Sequence, residues 1–317
     1  MTALGRAAHA VRIPTTTAWG LALAVGTAVI SGVAIWLNAY AVKQVPDPAV
    51  YTTLKNAVAA VVLVALVGAS GTGGFRRLDR GACSRLALVG LIGGSIPFLL
   101  FFTGLAEATA PGAAFIQKTL FIWVTLLAVP LLGVRLGAIQ VVAIGVLLAG
   151  QAVLAPPRLD GAGWGAGETM ILAATLLWAV EVIIAKRLLA TVPVLIVGAG
   201  RLGIGVLFLL GYLAATGSLG AILEVSATGW AWVAVTGLVL AAYVGTWFAA
   251  LRRAPAGAVA SVLVLGAVIT SALQAISNGA APTGQALTGG VLLVAAAAAF
   301  AIVTVRRARV GTHTAPV

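Results

Sequence analysis

The sequence predicts an all-α integral membrane protein of ten transmembrane helices, arranged as two inverted five-helix repeats. Three observations lead there. Of 317 residues, 62% are hydrophobic and only 8% are charged, whereas a soluble domain carries about 25% charged residues. Lipid must therefore be the solvent for most of the chain. Apolar runs recur at the length of about 20 residues that crosses a hydrocarbon core, joined by short linkers. The second half of the chain also echoes the first.

The candidate spans are 18–40, 48–68, 86–105, 109–131, 136–154, 167–189, 193–214, 229–250, 256–276 and 284–305. Pro or Gly marks most junctions: VPDP (45–48), EATAP (107–111), APPRLDGAG (155–163), RRAPAG (252–257) and GAAPTG (279–284). Such residues end helices or turn the chain. No linker is long enough for a separate soluble domain. The expected organisation is an N-terminal tail (1–17), a first repeat (18–155), a second repeat (165–305) and a C-terminal tail (306–317). The first apolar segment has no small-residue cleavage signature after it and reads as a retained signal anchor.

The formal net charge is +12. In a soluble protein that balance suggests nucleic acid, but here the basic residues fall in short clusters between apolar runs (FRRLDR, AKRLL, LRRAP, VRRARV). Cytoplasmic loops beside anionic lipid look like this. Counting alternate sides, Arg6, Arg12, Arg76, Arg77, Arg80, Arg85, Arg135, Lys186, Arg187, Arg252, Arg253, Arg306, Arg307 and Arg309 share one side, against Lys43 and Arg158 on the other. That bias places both termini in the cytoplasm and the protein in the cytoplasmic (inner) membrane. No nucleic-acid partner is expected. One cysteine (Cys83) and two histidines (His9, His313, both in the tails) give no disulfide or zinc set within the chain, and no cofactor or metal is expected.

The fifth span carries QVVAIGVLL (140–148) and the tenth QALTGGVLL (285–293), an offset of 145. NAYAVK (38–43) in the first corresponds to EVIIAK (181–186) in the sixth at 143, and the APGA and APAGA junctions (110–113, 254–258) correspond at 144. Agreement at three separate places argues for duplication. Because five is odd, the second copy enters the bilayer from the opposite face, an arrangement many secondary transporters use around a midplane site.

With these features on the page, the chain resembles the drug/metabolite transporter superfamily, most closely its EamA-like branch. The resemblance covers roughly 18–305 and rests on AWGLALAVG…AVK, KTLFIWVTLLAVPLLGVRLGAIQVVAIGVLLAG (118–150) and LLWAVEVIIAKRLL…AGRL (176–202). It implies a secondary carrier, commonly an exporter of metabolites or xenobiotics, with a central cavity and peripheral fifth and tenth spans. Two departures stand out. Val134 replaces the acid of the family's Gly-Glu-Arg-Leu-like linker, and VLVLGAVITSAL (262–273) lacks the usual proline of the ninth span.

An ionisable side chain at the centre of a span costs about 2.5–3.5 kcal/mol on insertion scales and usually faces a cavity or a partner. Lys118 lies about 13 Å into its span, close to the middle of a roughly 30 Å core, with Gln117 adjacent. It reads as a cavity-lining cation for an anionic solute group or as a snorkelling or carbonyl-bonded lysine. Glu181, the one carboxylate well inside an apolar run, is suited to carry a coupling proton, or pairs with Arg201 or Lys186. Arg201 either clamps a carboxylate or phosphate or is Glu181's partner. Lys55 reads as snorkelling. Asn38, counterpart of Glu181 by the repeat, reads as an external gate group or an ordinary interhelical hydrogen bonder. Trp36, Phe115, Phe121, Trp123, Trp178, Tyr243 and Trp247 recur near these positions, as cavity lining or as interface anchors. Gly90 and Gly94 are read as close helix contacts.

The expected substrate-binding set is Lys118, Gln117, Phe121, Trp178, Arg201 and Asn38, with Glu181 for proton coupling. The expected function is secondary transport of a small organic solute, as an exporter using proton-linked or gradient-driven alternating access, with an anionic solute in view. Lipid and the solute are the expected partners, and a homodimer stays open. The competing readings are a passive channel and a non-transporting sensor or scaffold. An intramembrane enzyme fits poorly, since the spans hold one carboxylate and neither His nor Cys, and no G-x-x-x-x-G-K-[ST] loop is present for ATP.

Overall fold

The computed structural model describes residues 15–45, 47–71, 74–108, 110–154, 156 and 164–311. Residues 1–14 with Arg6 and Arg12, Arg158 in its linker, and 312–317 lie outside the described residues. Among the described residues, thirteen α-helices follow in order: α1 Thr15–Ala41, α2 Pro48–Ala69, α3 Arg80–Gly94, α4 Ile96–Glu107, α5 Ala110–Lys118, α6 Leu120–Leu132, α7 Ala138–Leu154, α8 Ala166–Leu188, α9 Val194–Ala215, α10 Ala227–Arg253, α11 Ala256–Leu263, α12 Gly266–Ser277 and α13 Gly284–Gly311. Among the described residues, nine helical stretches are long and apolar enough to cross a membrane; the other expected span is α7, of 17 residues.

Local chemistry sets the ends. Asp47 accepts from the Ala49 N–H at 2.7 Å ahead of Pro48, which has no N–H to lose at a helix start. Asp79 accepts from Ala82 N–H, and Ser226 from Gly229 N–H. Gly133 closes α6 at φ 68°, a left-handed conformation open to glycine.

Three expected spans are interrupted. α3 and α4 form one path broken at Ser95, two residues before Pro97. Proline has no N–H to give to the carbonyl four residues back, which is Gly93. The Trp178 indole N–H from α8 donates to that carbonyl instead, at 3.2 Å. α5 and α6 are broken at Thr119, whose hydroxyl turns back to Ile116 O at 2.6 Å. α11 and α12 are broken at Val264 and Leu265, where i→i−3 bonds replace the α-helical ladder. Thr119 and Val264 lie at the repeat offset of 145.

Packing follows the duplication. α1 packs along α10 and its counterpart α8 along α4 and α3; α2 lies on α9, and α7 on α13. α1 also meets α11 and α12, as α8 meets α5 and α6. Exchanging the repeats maps this set of pairs onto itself. α7 and α13 stand to one side, tied by Gln140 to Thr304 at 3.3 Å. Small residues allow the tightest approaches: a Cβ on Gly94 would strike the Arg201 carbonyl oxygen, and one on Gly90 would come 2.6 Å from Ile204 Cβ.

Candidate functional site: a central cavity between the repeats

α1 and α10 run antiparallel, so the two ends of the bundle can be compared. Gly20 in α1 abuts Arg253 and Ala254, and Gln44 beyond α1 abuts Gly229 in α10. At the first end the structure is closed: Leu188, Leu189, Val192, Ile196, Leu251, Ala254 and Ala256 are all buried. The C-terminus of α8 fastens it. Lys186 Nζ donates to Leu251 O and, at 2.9 Å, to Ala254 O, while Arg187 donates to Leu131 O. These carbonyls belong to the last turns of α10 and α6 and the residue beyond, where a helix leaves acceptors unsatisfied and favours cations. At the other end Lys43, the repeat counterpart of Lys186, is exposed.

A cavity of about 200 Å³ lies between the repeats and extends along α1 through Ser31, Ala34, Ile35 and Asn38 toward that second end. The residues singled out from the sequence converge on it. Lys118, Gln117, Phe121, Trp178, Arg201, Asn38 and Glu181 all line its wall.

Each polar residue has a distinct situation. Glu181 and Arg201 face each other from α8 and α9, with Oε1 3.3 Å from Nε and side chains only 2% and 9% exposed. Neither atom is aligned for a hydrogen bond with any partner among the described residues. The contact is therefore Coulombic, and Gly93 presses directly on the Glu181 side chain. Lys186 does not join this pair. Arg201 also lies over the Phe98 ring, 6.0 Å from its centroid.

Asn38 sits in a second polar cluster. Its Nδ2 donates to Ala34 O at 2.6 Å. Its Oδ1 accepts from the Tyr51 hydroxyl at 2.6 Å and from Lys55 Nζ at 3.0 Å. The same hydroxyl lies 3.0 Å from Thr236 Oγ1. Lys55 does not snorkel: it is buried, its ammonium 5.0 Å from the Tyr51 ring centroid, and it lines the cavity. Hydrocarbon depth alone misplaced it, because the amide oxygen that accepts from its ammonium comes from Asn38 on α1.

Lys118 closes α5 at the break, half-buried, where a cation suits the helix C-terminus. Among the described residues it and Gln117 have no hydrogen-bond or ion-pair partner. The carbonyl-bonded alternative for Lys118 is therefore not the state adopted here. The aromatic side chains divide. Phe121, Trp178, Tyr243 and Trp247 line the cavity, joined by Phe98, which nothing in its sequence context singles out. Phe98 meets Trp178 edge to face at 5.4 Å, and Tyr243 stacks on Trp247 at 6.3 Å. Trp36 bonds Ser277, Trp123 bonds Thr119, and Phe115 packs beside Ile171, so these three serve the scaffold.

A family model for the EamA-like transporter family matches residues 18–155 and again 165–302. The chain belongs to the EamA-like transporter family. It is thereby a multi-pass membrane protein, and the two matches reproduce the duplicated organisation. None of the curated proteins matches it. Among 29 similar solved chains, one crystal structure superimposes with a TM-score of 0.75 at 20% identity, covering 91% of this chain and 99% of its own. That likeness shows a shared fold.

Proposed function

We propose that this EamA-like protein is a secondary transporter of a small organic solute in the cytoplasmic membrane, working by alternating access at the central cavity. In this reading the chain crosses the membrane ten times, with α7 as the fifth span, the repeats inverted and both termini in the cytoplasm. The observation that carries the proposal is the asymmetry of the two ends around a polar cavity. One end is fastened by Lys186 and Arg187 over buried apolar residues; the cavity extends toward the other, where Lys43 stands exposed beside a smaller buried cluster around Ala41, Val45 and Val50. Repeats that pair symmetrically yet differ at their ends suit a protein that exchanges two arrangements.

Lys118, with Gln117, receives the negative part of the solute, and the rings of Phe121 and Trp178 hold its apolar part. Asn38 positions Lys55 in the part of the cavity nearest the second end. Arg201 holds Glu181, whose carboxylate is the group available to couple a proton to opening. Export follows the family's common direction. The sealed end argues against a passive channel, which needs a continuous path.

Reconstituted proteoliposomes test this. A panel of labelled metabolites should show solute moving against its gradient when a pH gradient is imposed, and Lys118→Ala should abolish that flux without lowering the unfolding temperature. Dissipative flux alone, or full flux in Lys118→Ala, would defeat the proposed mechanism.

A further inference from the structure

Resting on the proposal that this cavity is the solute site, we infer that it takes a small aromatic monocarboxylate that carries no ammonium group. The wall contributes three cations (Lys55, Lys118 and Arg201) and one carboxylate, Glu181. That carboxylate is committed. It is 2% exposed, lies 3.3 Å from Arg201 and is backed by Gly93, against which an added Cβ would come 2.8 Å from its Cδ. The Asn38 amide oxygen is also occupied, accepting from both Tyr51 and Lys55.

The donors stand differently. Lys118 and Gln117 sit side by side at the end of α5 with no partner among the described residues. Two residues on, α6 begins with Leu120 and Phe121 in the cavity wall. A carboxylate placed there receives a charge-assisted hydrogen bond from the half-buried Lys118 ammonium. An α-amino acid brings a second group of opposite sign, for which the wall has no unshared carboxylate among the described residues. Burying that ammonium without a counter-charge is costly. The site therefore discriminates an acid from its amino analogue by leaving the amine unpaired.

The apolar part of the ligand is read from the remaining wall. Phe98 and Trp178 meet edge to face, and Tyr243 and Trp247 present a stacked pair. Ring faces and edges of this kind favour another ring. At about 200 Å³ the cavity is smaller than the roughly 300–1,000 Å³ of sites for drug-sized ligands, which limits the solute to one ring on a short chain.

Calorimetric titration of the detergent-purified full chain with 3-phenylpropanoate, phenylalanine and 2-phenylethylamine tests the class. The acid should bind about tenfold or more tightly than either amine-bearing compound, on the scale of one charge-assisted bond. Lys118→Gln should weaken the acid by a similar factor, and Lys118→Arg, which keeps the charge, should retain it. Thermal unfolding of both variants shows whether they are folded. Binding of phenylalanine or the amine at or above the level of the acid overturns the inference, as does undetectable acid binding or a Lys118→Gln variant with unchanged affinity. Transport is scored separately: proteoliposomes that move another solute but ignore the acid retain the transport reading and reject this one. Acid binding without any flux does the reverse.

Discussion

Removing Arg201 should cost more stability than removing both members of its pair. In wild type the Glu181 carboxylate is 2% exposed and has one counter-charge, at 3.3 Å, without hydrogen-bond alignment. Arg201→Met keeps much of the aliphatic stem and removes the guanidinium, stranding the carboxylate between Gly93 and the cavity. Breaking a buried pair from one side costs about 3–5 kcal/mol, while replacing both partners is often close to neutral. At about 2 °C per kcal/mol for a chain of this size, Arg201→Met should lower the unfolding temperature by roughly 6–10 °C. Glu181→Gln with Arg201→Met should recover more than half of that loss. Differential scanning fluorimetry of the four proteins in one detergent completes the cycle. Single-variant effects that simply add, or an Arg201→Met protein as stable as wild type, would show that the pair does not hold α8 to α9.

Other variants probe separate contacts. Trp178→Phe keeps the ring but strands the Gly93 carbonyl that Pro97 leaves free, and should cost about 1–3 kcal/mol in thermal unfolding. Gly94→Ala would drive a methyl into the Arg201 backbone and should cost about 1–3 kcal/mol as overpacking. Gly26→Ala, where a Cβ meets nothing within 4 Å, should gain about 0.5–1 kcal/mol from helix preference. In a Cys83→Ser background, a cysteine replacing buried Ala256 should resist maleimide. Adding Lys186→Met, which removes the bonds to Leu251 and Ala254, should raise that labelling rate by about tenfold or more if the end opens.

Much of the architecture is readable from hydrophobicity and charge, because lipid imposes a length and an alternation that leave marks in every span. The α8 limits of 166 and 188 fall within one residue of the expected 167 and 189. The breaks left weaker marks. Pro97 is visible, but the partner that accepts its consequence, Trp178, lies 81 residues away and is found only in three dimensions. At Thr119 and Val264 no proline signals the interruption; local hydroxyl and i→i−3 bonding replace the ladder there. Cavity-lining residues were legible where charge within an apolar run is costly, as for Lys118, Glu181 and Arg201. Phe98 has no such anomaly, and Lys55 was misjudged because its acceptor, Asn38, lies on another helix.

Helix α8 is held at three successive depths: Trp178 to the α3 carbonyl, Glu181 to Arg201, and Lys186 to the last turn of α10. A helix turns about 100° and advances about 1.5 Å with each residue. One inserted or deleted residue between Trp178 and Lys186 would therefore put at least one of these grips out of phase with the others. α8 behaves as a single calibrated rod, whose motion, whatever its direction, must be shared by the neighbours it grips.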